Sequence, residues 1–208
     1  MEARIANPAP VYQMVGPRQS GRVAAPSEKE EAMTFPGCWP MAWIVVAIHL
    51  LSTGAAGANE LTPTGSVSGL PLPRFVSLKS DRVNVRGGPD KDHEVVWVFT
   101  RSALPVEITA EFDNWRRIRD QDGAEGWVYH SLLSGKRTAL VEAKHKGELV
   151  GLYAGPDAHS RMVARLEPGV QGLVKRCNGN WCRLTGDGFD GWIEQNRLWG
   201  VYPNETLE

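Results

Sequence analysis

The stretch NWRRIRDQDGAEGWV, from Asn114 to Val128, comes back as NWCRLTGDGFDGWI from Asn180 to Ile193. The correspondence extends upstream: VNVRGGPD (Val83 to Asp90) returns as VGLYAGPD (Val150 to Asp157), Trp115 returns as Trp181, and Gly126-Trp127 as Gly191-Trp192. Because the spacing stays within 65 to 67 residues, the copies differ only by single-residue changes in loops. Such a repeat constrains the architecture before any strand is assigned, since both copies must fold in the same way. A unit of about 60 residues is small for a hydrophobic core, and closing its strands into a barrel leaves little edge exposed.

Inside the first copy, RVNVR (82 to 86), EVVWVF (94 to 99), PVEIT (105 to 109), WRRIR (115 to 119) and GWVY (126 to 129) read as short strands. GGPDKD, FDN and DQDGAEG separate them as turns, and nothing after position 59 carries a helical period. The fold class predicted is all-β: two tandem small barrels at 75–135 and 136–203, with a tail at 204–208.

The N-terminal part is of another kind. MAWIVVAIHLL, Met41 to Leu51, is the one long apolar run, shorter than the roughly 20 residues of a spanning helix. STGAAGANE follows, in which Ala56-Gly57-Ala58 satisfies the A-x-A rule of signal peptidase. Residues 1–58 therefore read as an extension plus signal peptide, begun at Met1 or Met33 and cut between Ala58 and Asn59. That would place the mature chain in the periplasm or outside the cell; left uncut, residues 41–58 would anchor it to the inner membrane. Cys38 precedes the apolar run and reads as a bystander. Residues 59–74, rich in Pro, Gly, Ser and Thr, read as a flexible linker without stable tertiary structure.

Processing would leave two cysteines, Cys177 and Cys182, and an even count in an exported chain points to a disulfide. Half a metal site is the other reading of the spacing, but His93, His130, His145 and His159 are scattered without ligand spacing, so no metal is expected. Aligning the copies puts Cys177 on Glu111 and Cys182 on Arg116. The short NGNW loop suits a tight hairpin, so the same two cross-strand places are predicted to hold a disulfide in one copy and an exposed ion pair in the other.

A net charge of −1 gives no bulk reason to expect nucleic acid as a partner. The chain has no G-x-S-x-G, no H-E-x-x-H and no Gly-rich loop followed by Lys-Ser/Thr. Asp120 and Asp122 read as turn formers. No catalytic residues, no cofactor and no enzymatic activity are expected.

VNVRGGPD, a hairpin ending in NW with Ile118 three residues on, then GWV and a closing Leu-Leu, resembles the bacterial SH3 domain over about 76–134 and 145–200. The resemblance implies SH3-like barrels with a binding or targeting role, often at the cell envelope, and no catalysis. It also implies that Trp115 and Trp181 line a ligand groove. Strand alternation puts Trp115, Arg117 and Arg119 on one face of WRRIR and Arg116 with Ile118 on the other, Ile118 being core and Trp115 outside it. The candidate ligand surface is Trp115, Arg117, Arg119, Tyr129, Asn84, Arg86 and Trp181; in the second copy Gly151 and Tyr153 stand where Asn84 and Arg86 would be. A tryptophan packed over the barrel mouth or between domains is the other placement. Trp127 and Trp192 are expected to cap the cores. Arg116, Arg117 and Arg119, and around Trp181 also Lys175, Arg176 and Arg183, suit a phosphate, a carboxylate or a sugar polymer carrying them, though solvated strand faces look the same. Two functions fit: a binding module recognising peptidoglycan or an envelope peptide, or a structural scaffold docking a periplasmic partner protein. The oligomeric state is open.

Overall fold

Val83 and Val85 are fully buried while Asn84 between them is exposed, and in the second copy Val150 and Leu152 are buried on either side of Gly151. This two-residue period builds a curved sheet with one face inward. A computed structural model describes residues 3–7, 12–14 and 63–208, all within one compact unit. The expected signal segment, the Ala58–Asn59 junction and Cys38 lie outside the described residues. Among the described residues there is no α-helix, and none long and apolar enough to cross a membrane.

Two short strands open the chain, β1 (Ala3–Ile5) and β2 (Tyr12–Met14). The first barrel follows with β3 (Arg74–Leu78), β4 (Val83–Arg86), β5 (Val95–Phe99), β6 (Pro105–Phe112), β7 (Trp115–Arg119), β8 (Glu125–Tyr129) and β9 (Leu133–Ser134). The second has β10 (Thr138–Val141), β11 (Val150–Tyr153), β12 (Met162–Leu166), β13 (Gln171–Asn178), β14 (Trp181–Gly186), β15 (Phe189–Glu194), β16 (Leu198–Trp199) and β17 (Thr206–Leu207). Strand order in the first is β5-β4-β8-β7-β6-β3-β9 and in the second β12-β11-β15-β14-β13-β10-β16, the same topology twice. Each barrel has its own core, around Val85, Ile118 and Val128 in one and Leu152, Leu184 and Ile193 in the other. Gly126 and Gly191 have a steric reason: a Cβ on Gly126 would collide with Val85, and one on Gly191 would stand 2.7 Å from Leu152 Cγ and 2.8 Å from the Tyr153 carbonyl. Trp127 and Trp192, expected to cap the cores, belong to neither contiguous core cluster; Trp127 is half-buried, and Trp192 is buried beneath the Arg176 guanidinium, 5.2 Å from the ring centre.

The barrels are locked together by side chains near the C-terminus. Leu140 of β10 belongs to the first core. Phe75 of β3 meets Trp199 edge-on at 5.0 Å and Tyr202 at 4.7 Å between ring centres. Arg137 forks onto Glu205 at 2.7 and 2.9 Å. β17, in the segment expected as a tail, pairs with β13 at Cys177↔Leu207.

The hairpins at the repeat correspond turn for turn. β6 and β7 pair Phe112 with Trp115 around Asp113-Asn114, and β13 and β14 pair Cys177 with Cys182 around a loop in which Gly179 adopts φ +95°. The Asn178 carboxamide oxygen accepts from the amides of Asn180 (3.1 Å) and Trp181 (2.8 Å), an Asx turn that fixes the bend. The predicted Cys177–Cys182 disulfide is present, with Cα atoms 4.1 Å apart. So short a loop stabilises by less than about 3 kcal/mol, and its effect is local. Reduction should speed amide exchange in β14 near Cys182 and in β17 and leave β4 and β7 unchanged, as mass-resolved exchange with and without reductant will show. Equal loosening of both barrels would refute this.

In the first barrel Glu111 and Arg116 are cross-strand partners, as the alignment of copies predicts, but the pair is buried rather than exposed. The Glu111 side chain has 0% exposure, with Arg116 Nε at 3.3 Å and Arg74 at 2.7 Å. The covering comes from the segment expected to be a flexible linker, which is folded from Pro63 onward, with a bridge between Thr64 and Pro71. The backbone amides of Val67 (3.1 Å) and Ser68 (2.8 Å) and the Ser68 hydroxyl (2.6 Å) donate to the Glu111 carboxylate. Burial acts to raise the carboxyl pKa, but the bonds from Ser68, Arg74 and Val67 outweigh it and hold it down at about 2.

Candidate functional site

On the outward face of β4, β7 and β8 the first barrel carries a shallow depression of about 200 Å³. Its lining is Asn84, Arg86, Lys91, Trp115, Tyr129 and Leu132. Register makes it: Trp115 faces Tyr129 across the β7–β8 ladder, and Arg86 of β4 pairs with Trp127 of β8. The indole and phenol rings meet edge-on, 5.5 Å between centres at 84°. Arg86 donates to the His93 carbonyl at 2.6 Å, which orders the turn carrying Lys91. Neither Arg86 nor Lys91 has an ion-pair partner among the described residues. An aromatic floor with two cations on the rim suits a ligand with an apolar or sugar-like face and a carboxylate or phosphate beside it.

The structure thus brings Asn84, Arg86, Trp115 and Tyr129 together and adds Lys91 and Leu132. Lys91 sits inside GGPDKD and Leu132 in the closing Leu-Leu, and both are legible in the sequence only as turn and core. Trp115 is more covered than alternation implies: it stands outside the core cluster but is only 8% exposed. Arg117 and Arg119 are absent from the lining. Arg117 is bound to Glu125 at 2.5 Å. Arg119 pairs with the buried Glu107, whose other oxygen accepts from the Tyr202 hydroxyl at 2.8 Å, so this arginine belongs to the contact between barrels. Burial and that carboxylate raise the Tyr202 pKa, keeping the phenol protonated as donor. The basic clusters read from the sequence are largely neutralised: Arg116 by Glu111, and Arg183 by Asp190 in a forked pair at 2.9 Å.

The second barrel keeps the aromatic pair and loses the cations. Trp181 meets Tyr153 edge-on, 5.5 Å between centres at 89°, so its partner comes from β11 instead of β15. Across the ladder from Trp181, where the first barrel has Tyr129, stands Glu194. Gly151 fills the place of Asn84, and Arg197 nearby is engaged by Glu148. Among the described residues no three His, Cys, Asp or Glu side chains are grouped to hold a metal ion.

A family model described as "Bacterial SH3 domain" matches residues 79–135 and again residues 146–200, more than half the chain. The chain belongs to the bacterial SH3 family. Both barrels of this bacterial SH3 protein are covered, and each match holds one Trp-bearing hairpin. Bacterial SH3 domains are typically non-catalytic and commonly act as cell-wall binding modules. Comparison with curated proteins returned no match. Among solved structures, NlpC2 and NlpC1 from Trichomonas vaginalis are each 16% identical with TM-score 0.28, over 61% and 65% of this chain. The chain spans about half the length of both, 48% of each. A likeness so slight carries no argument for this bacterial SH3 protein.

Proposed function

We propose that this chain is a non-catalytic binding module of the bacterial cell envelope, exported and cut after Ala58, which takes an anionic peptidoglycan fragment in the Trp115 depression. The observation that carries the reading is the pairing of the Trp115–Tyr129 floor with Arg86 and Lys91 on the rim. Peptide stems of the wall polymer bear carboxylates beside sugar faces, which matches that chemistry. The first barrel is the binding one in this reading, because Glu194 opposes an anion at the equivalent place in the second.

The test is sedimentation with purified sacculi, using protein recovered from the exported fraction, whose N-terminus should read Asn59. Arg86→Glu with Lys91→Glu should weaken retention about ten- to hundredfold, the worth of one or two charge-assisted hydrogen bonds, in protein that is still folded at the assay temperature. Trp181→Ala should leave retention within about twofold, since a change away from the contact carries little energy. Wild-type protein that stays in the supernatant, or retention indifferent to the double reversal, defeats the reading.

A further inference from the structure

β5 and β12 occupy equivalent places in the two barrels: each is hydrogen-bonded on one side within its barrel, to β4 and β11, and each would be an edge on the other side. Both edges are filled by one short N-terminal segment. β2 pairs antiparallel with β5, matching Tyr12 with Phe99 and Met14 with Trp97. β1 pairs parallel with β12, matching Ala3 with Ala164 and Ile5 with Leu166. Equivalent edges that accept a strand in opposite directions are reading the main chain, which presents donors and acceptors whichever way it runs.

At β12 side chains add recognition. Arg4 donates twice to Glu167 Oε1, from Nε at 3.0 Å and from its terminal nitrogen at 2.7 Å. The Glu167 amide donates to the Ile5 carbonyl at 3.0 Å, and the other Glu167 oxygen accepts from the Asn7 amide at 3.3 Å. Ile5 packs on the second core. Arg101 of the first barrel reaches the Asn7 side-chain oxygen at 3.4 Å and the Gly169 carbonyl at 3.4 Å. An extended segment is therefore held by backbone, by one carboxylate for its basic residue, by an apolar seat for the next residue, and by a guanidinium from the neighbouring barrel.

We infer that the β12 edge with Glu167 is a strand-addition site for an extended partner polypeptide carrying a basic residue, an aliphatic one and, two positions on, an Asn-like amide, and that residues 3–7 are its resident occupant. A cut after Ala58 would separate this occupant from the barrels, and open edges are surfaces that proteins otherwise cover or protect. The site is remote from the Trp115 depression in composition and does not depend on its function.

The test uses the full chain and a fluorescent synthetic peptide of residues 1–8. In the wild type the peptide competes with a tethered copy of itself at an effective concentration in the millimolar range. Arg4→Glu with Ile5→Asp in the chain should displace the tethered copy and raise peptide affinity at least about tenfold. Adding Glu167→Lys should abolish that gain, and a peptide carrying Arg4→Glu should restore it. Amide exchange of Glu167 supplies a readout that needs no tight binding: faster in the double variant and slowed again by peptide. A double variant that melts like the wild type yet takes up no more peptide overturns the proposal. If the double variant does not fold, Glu167→Lys alone must accept the charge-reversed peptide better than the native one; equal uptake of the two overturns it as well.

Discussion

Glu111→Ala is expected to destabilise the first barrel by about 3 to 5 kcal/mol, the cost of removing one partner from a buried ion pair and leaving the others uncompensated. Its carboxylate, with no exposed side-chain surface, is the ion-pair partner of both Arg116 and Arg74 among the described residues. It is also the acceptor for the Val67 and Ser68 amides, so the segment from Thr64 to Pro71 should detach with it. Thermal melting should show the first barrel unfolding early, and proteolysis should cut near Ser68 in the variant only. The same group predicts acid behaviour. Its folded pKa of about 2 lies below the ordinary value of 4.5, so its contribution is complete above pH 4.5 and is lost as pH falls toward 2. That contribution is on the order of 2 to 3 kcal/mol. Glu148, held at about 2 by its bond to Arg197, shifts the second barrel in the same direction. A stability profile flat between pH 4.5 and 2.5 in the wild type, or one unaltered by Glu111→Gln, would contradict this account.

Ile118→Ala should cost about 2 to 5 kcal/mol, the range for a large-to-alanine change in a core that cannot collapse around the void. Ile118 is fully buried, in the center of the first core with Val85 and Val128. The comparison with Trp115→Ala is informative because the tryptophan is nearly covered and edge-packed on Tyr129, so its removal should also lower the melting point. The two differ in what accompanies the loss. Ile118→Ala should retain sacculi binding at temperatures where it is folded, whereas Trp115→Ala should lose it even there. Equal binding by the two folded variants would remove Trp115 from the ligand surface.

Residue period and repeat together determined the fold. WRRIR alternates so that Ile118 must be inside, GW recurs where only glycine lets two strands approach, and a second copy at nearly constant spacing demands a second barrel of the same topology. The hairpin register was legible too, because a short loop between Cys177 and Cys182 leaves little choice of partners, and the same count pairs Glu111 with Arg116. Asn84, Arg86, Trp115 and Tyr129 were likewise within reach, since their strands are adjacent in any barrel of this order.

Tertiary structure alone decided which charges are free. Arg86, Arg117 and Arg119 look alike in the sequence, but Arg119 is claimed by Glu107, which also accepts from Tyr202 at the contact between barrels, and Arg117 by Glu125, leaving Arg86 with Lys91 on the rim. Local pattern cannot show this, because an ion pair depends on distances between residues far apart in the chain. It also could not show that a Pro- and Ser-rich segment is ordered, since the order comes from Glu111 accepting its amides, nor that residues 3–5 and 12–14 seal two sheet edges. Backbone pairing is almost blind to side chains, and a strand of three residues leaves no period to read.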